Sequence, residues 1–136
     1  MLSRHAEGGC LCGTVRYRAD RVPVSVTSCH CTLCRRASGA PFVVWATYAA
    51  ADFRYTRAEP ARYGSSKRAE RTFCVRCGTP LTFQLFASPE EIDVSVCTMD
   101  EPERFPPQRH IWTRRRLPWV KLSDGLPQHS EESASS

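Results

Sequence analysis

The chain has 136 residues, 41% hydrophobic and 24% charged, which fits one globular domain with a modest core. No apolar run approaches the roughly 20 residues that cross a bilayer, so no membrane partner is expected. The formal charge of +5 points only weakly to nucleic acid. Were seven cysteines to bind two zinc ions as thiolates, the balance would fall to about +2, and nucleic acid is not the expected partner.

Residues 1–9 carry Arg4, His5 and Glu7 and lack the apolar core of a secretory leader. A reducing, cytoplasmic setting without disulfides is therefore expected. Gly8-Gly9-Cys10-Leu11-Cys12-Gly13 flanks a C-x-C pair with glycines, which let the backbone turn tightly around an ion. Residues 14–19 and 24–28 alternate apolar and polar side chains and predict two half-buried strands, the second leading straight into Cys29. Residues 32–38 have room for one helical turn. The β-branched and aromatic run 41–47 predicts a buried strand, and 53–56 a shorter edge strand.

A turn at 64–67 precedes a strand over 68–73, and alternation resumes over 80–86 and 92–97. Residues 99–108 contain three prolines and predict a loop. Residues 110–113 and 117–120 read as a last extended segment, interrupted by Arg114-Arg115-Arg116. The Ser/Glu-rich stretch 123–136 predicts a disordered tail, leaving one domain over 1–122. The expected fold class is all-β, mainly antiparallel sheets with one or two short helical turns.

Seven of the eight cysteines fall in three tight groups. Cys29-His30-Cys31-Thr32-Leu33-Cys34 places three thiols in six residues, with Cys29 and Cys31 on one side of an extended backbone and Cys34 able to fold back to them. Cys74-Val75-Arg76-Cys77-Gly78 has the spacing of a zinc knuckle. Joining it to Cys10 and Cys12 makes a set of four and leaves the trio intact. A structural zinc is closed by four protein ligands, whereas a catalytic zinc has three and an open position. Two zinc ions per chain are expected, one structural at Cys10, Cys12, Cys74 and Cys77, one catalytic at Cys29, Cys31 and Cys34.

His30 would point away from the ion, beside the site or exposed, and Cys97 stands alone as a buried thiol. Arg35, Arg36 and His110 are candidates to balance the charge of the trio, and His110 is a candidate acid or base.

Gly9 to Gly13, Cys29 to Arg35, Phe73 to Leu81, and the His110-Ile111-Trp112 and Pro118-Trp119 segment together resemble the glutathione-dependent formaldehyde-activating enzymes and their centromere protein V relatives. The resemblance implies an Mss4-like fold of stacked antiparallel sheets, with the same assignment of the four-cysteine and three-cysteine sites. It also implies carbon–sulfur lyase chemistry on a small thiol substrate such as a glutathione adduct with formaldehyde. Two other readings stay open. One is a zinc-stabilised module binding nucleic acid or protein, with the arginine run between Trp112 and Trp119 as its grip. The other is a thiol redox sensor.

Overall fold

Tyr17 and Ala19 point inward from one strand while Arg16 and Arg18 lean outward, and this two-residue alternation organises most of the chain. The computed structural model describes residues 5–132, with 1–4 and 133–136 lying outside the described residues. In chain order the elements are β1 (Ala6–Gly9), β2 (Arg16–Ala19), β3 (Ser25–Cys29), α1 (Thr32–Ser38), β4 (Val43–Ala49), β5 (Phe53–Arg57), β6 (Ala61–Gly64), β7 (Ala69–Phe73), β8 (Pro80–Leu85), β9 (Glu91–Ser95) and β10 (Arg109–Ile111). Among the described residues the chain is thus mostly β with one helix and short 3-10 turns, as predicted.

Three strands form one sheet in the order β1-β2-β5, and seven form another in the order β10-β3-β4-β9-β8-β7-β6. Every pairing is antiparallel except β10 with β3. The main core joins the sheets: Tyr17 and Ala19 of the small one pack in the same cluster as Ala46, Tyr48, Leu81 and Val94 of the large one. The buried Tyr17 hydroxyl is satisfied by Thr98 Oγ1 at 2.7 Å, so the ring is buried without an orphaned polar group.

Several local expectations are revised. Strands β1 and β6 were not predicted, because Ala-Glu-Gly-Gly and Ala-Arg-Tyr-Gly lack the β-branched alternation that marks a strand; partner strands β2 and β7 hold them extended. The helix runs seven residues rather than one turn, ended by Gly39 in the left-handed region at φ 69°. Cys97 is exposed in a 3-10 turn, not buried. Only Arg109–Ile111 of the last extended segment is strand.

Nor do residues 123–132 form a free tail. Pro127 accepts from the His110 N–H, His129 donates to the His110 carbonyl, and Glu131 accepts from the Trp112 N–H, each at 2.9 Å. Composition predicts disorder when a segment cannot bury apolar surface. Here the open edge of the large sheet at β10 offers backbone partners instead.

Candidate metal centres

The four-cysteine group is built by two tight turns. Gly13 N–H reaches the Cys10 carbonyl at 3.1 Å, and Val15 N–H points at Cys10 Sγ at 3.2 Å. In the second turn Gly78, at φ 81°, closes on the Cys74 carbonyl at 2.7 Å while Cys77 N–H faces Cys74 Sγ at 3.4 Å. The turns are pinned together where Leu11 N–H donates to Thr79 Oγ1 at 3.0 Å. Cys10 Sγ lies 3.6 Å and Cys74 Sγ 3.8 Å from Cys12 Sγ. Metal–sulfur bonds of about 2.3 Å in a tetrahedron give edges of about 3.8 Å, so the donor set fits a bound ion. Thr79 donates to Cys77 and holds its thiol down to about 5.

The trio is assembled by β3 and α1. Cys29 pairs with Val43 on one side and Ile111 on the other. Cys31 occupies the N-cap of α1, its sulfur accepting the Cys34 N–H at 3.2 Å in the role usually taken by a Ser or Asp oxygen. The three sulfurs lie within 4.8 Å of one another, in surroundings made by Val43, Trp45, Phe83, Ile111 and Trp112. Hydrogen bonds from Cys29, and then from Cys34, hold the Cys31 thiol far below its ordinary range. The same bond with Cys31 drives the Cys29 thiol up. None of the eight cysteines is joined in a disulfide.

A cavity of about 360 Å³ opens beside Cys34, between α1 and the large sheet. Its walls are Leu33, Ala37, Val43, Trp45, Phe73 and Pro80, with the cations Arg36 and Arg71. Arg71 was not singled out in the sequence. Its guanidinium sits 4.8 Å over the Phe83 ring, Nη2 donates to Cys34 Sγ at 3.6 Å, and Nε is buried with no acceptor among the described residues. Asp93, cross-strand from Phe83 and Thr47, was also missed. Burial pushes its carboxyl up to about 6 against the pull of the Thr47 hydroxyl, which donates to it at 2.6 Å.

The profile of the glutathione-dependent formaldehyde-activating enzymes matches residues 5–115. The chain belongs to that family. It is 31% identical over 112 residues to an uncharacterised lyase of Schizosaccharomyces pombe, spanning 71% of this chain and 81% of the relative. It is 28% identical over 125 residues to a provisionally named glutathione-dependent formaldehyde-activating enzyme of Halomonas elongata, spanning 85% and 80%. The fold is similar to a crystal structure of a Rhodobacter sphaeroides protein, with a TM-score of 0.54 at 24% identity over 90% of this chain and 98% of that one.

Of the other residues singled out in this family member, Arg36 lines the cavity and Arg35 does not. His30 is fully buried, not exposed, its ring 4.7 Å from that of Phe42 and its Nε2 3.0 Å from His110 Nδ1. Burial and then His110 hold it down to about 4. On β10 it is Ile111 that pairs with Cys29, so His110 stands on the opposite face and turns to His30 and Asp124 rather than to the trio. The arginine run is partly tied down, with Arg114 paired to Glu131 at 2.5 Å and Arg116 donating to the Val120 carbonyl.

Proposed function

We propose that the protein is a zinc-dependent carbon–sulfur lyase acting on small thiol–aldehyde adducts, glutathione's among them on family grounds. The observation that carries this is a cluster of three sulfurs, one short of a closed site, beside a cavity of about 360 Å³. The names of the relatives support the reaction class. Cys10, Cys12, Cys74 and Cys77 would hold a structural zinc, and Cys29, Cys31 and Cys34 a catalytic one. Such donor sets select a soft cation, and zinc is the common one that takes four sulfurs tetrahedrally. Bound at the trio, zinc supplies a Lewis acid that favours the thiolate form of a thiol and keeps an open position for it.

The chain's own residues prepare that setting. Arg71 places positive charge against Cys34, offsetting the surplus of thiolates. Val43 and Trp45 are buried beside the sulfurs and limit water there. In cleavage the carbon–sulfur bond of the adduct breaks, the hydroxyl proton passes to sulfur, and the products are a thiol and an aldehyde, so no oxidant is needed. Seven ligand thiols stay available only in a reducing compartment, which supports the cytoplasm.

The test is to follow exchange between formaldehyde, a panel of small thiols including glutathione, and their adducts by NMR. With both metals loaded, exchange is faster than in buffer, and Cys31→Ser returns it to the buffer rate. Exchange no faster than buffer with any thiol would overturn the reading.

A further inference from the structure

Breaking the carbon–sulfur bond of a thiol–aldehyde adduct passes through negative charge on oxygen: the hydroxyl gives up its proton, and the electron pair left on oxygen expels the sulfur. The cavity beside the trio has no Asp, Glu or His in its lining, so no carboxylate or imidazole there takes that proton. It has two cations instead. Arg36 is exposed to solvent, whereas Arg71 is half-buried, its guanidinium stacked on Phe83 and its Nη2 against Cys34 Sγ at 3.6 Å. Nε is sealed from the cavity, but Nη1 is neither enclosed nor engaged by any hydrogen bond among the described residues. A donor fixed in advance by its surroundings and open to a space walled by Val43 and Trp45 is suited to a developing oxyanion.

We propose that Arg71 is a catalytic residue of the lyase reaction, its Nη1 donating to the adduct oxygen and holding it as an oxyanion while the carbon–sulfur bond breaks. This rests on the lyase reading above and leaves its thiol substrates as they stand. One carbon separates sulfur from oxygen in such an adduct, so a sulfur held among Cys29, Cys31 and Cys34 brings the oxygen to the guanidinium that already touches Cys34. In cleavage the hydroxyl proton goes to water, oxygen and carbon form the carbonyl, the carbon–sulfur electron pair goes to sulfur, and the thiolate takes a proton from water on release. Addition runs the same steps backward, with Arg71 polarising the carbonyl as the thiolate attacks. Neither direction needs an oxidant or a reductant.

The experiment compares wild type with Arg71→Gln, Arg71→Lys and Arg71→Ala, following exchange of formaldehyde with glutathione and the other thiols of the panel by NMR. Thiol binding is read separately, by titrating the cobalt-substituted proteins with glutathione alone, which lacks the reacting oxygen, and watching the thiolate-to-cobalt absorption. Arg71→Gln should lower kcat about a hundredfold or more, while its metal content matches wild type and its affinity for glutathione changes only a few-fold. Arg71→Lys, which keeps the charge and loses the fork, should retain part of the rate. Guanidinium ion added to Arg71→Ala should restore part of the lost rate, where sodium at equal ionic strength does not. A kcat for Arg71→Gln within a few-fold of wild type, or a loss of metal or of glutathione binding that matches the loss of rate, would overturn the proposal while leaving the lyase reading intact. Wild-type exchange no faster than buffer with any thiol of the panel would overturn both.

Discussion

His30 Nε2 lies 3.0 Å from His110 Nδ1, although the two residues are 80 apart in the chain. His110 Nε2 in turn meets Asp124 Oδ2 at 2.8 Å, so a row of three side chains runs from the loop of the trio to the C-terminal segment. With Asp124 accepting from His110 Nε2–H, His110 Nδ1 is left to accept from His30. That arrangement fixes both rings in one tautomer and anchors the backbone between Cys29 and Cys31.

Replacing His110 with Phe should leave the buried His30 donor without an acceptor. Urea unfolding of the metal-loaded protein should show a loss of about 1–3 kcal/mol. Asp124→Asn should cost less, because Asp124 is exposed and water can substitute for it. Equal stability of wild type and His110→Phe would show that the row carries no load.

The two cysteine sets should differ in what their loss does. Metal analysis of reduced protein should give two ions per chain. Cys74→Ser removes a closing ligand from a site whose metal contributes on the order of 10 kcal/mol, comparable with the whole stability of a small domain, so it should unfold or aggregate. Cys31→Ser should stay folded by circular dichroism and bind one ion. Parallel melting of both variants would count against the division.

Asp93 gives a pH dependence with a definite sign. Its folded-state value of about 6 is above the ordinary 3.8, chiefly through burial, so the folded chain holds this proton more tightly than the unfolded one. The contribution is full below pH 3.8 and is lost as pH rises through 6. Asp93→Asn keeps an acceptor for the Thr47 hydroxyl and removes the titration. It should therefore gain stability relative to wild type as pH rises from 5 to 7, by about 1.3 kcal/mol of the roughly 3 kcal/mol that the whole shift represents. Comparing the two proteins at each pH cancels metal loss common to both. A difference that does not change with pH would refute the assignment.

Removing residues 124–136 should loosen the trio. Trp112 packs against the trio's cluster with φ at 56°, a conformation that bulky residues rarely adopt, and its N–H is held by the Glu131 carbonyl. Without that partner and without Asp124, a chromogenic chelator should take one of the two metal ions several-fold faster, with the other unaffected. Unchanged release of both ions would mean that the segment does not support the site.

Much of the local chemistry was readable in the residues because it is set by short spacings. C-x-C, C-x2-C and the trio bring sulfurs together within single turns, and alternation every two residues marked most strands of both sheets. The same patterns, joined to the C-terminal signature, carried the family resemblance. What tertiary structure alone decided lies at long separations. Arg71 comes to Cys34 across 37 residues through the registers of β7, β8 and β9, and no neighbouring residue announces that meeting. His110 was drawn away from the trio because its parallel pairing with β3 puts Ile111, one residue on, beside Cys29. Residues 127–131, disordered by composition, are ordered by the unpaired backbone of β10. Spacing acts through covalent geometry and is written in the chain, whereas register and edge pairing arise only when distant strands compete for the same hydrogen bonds.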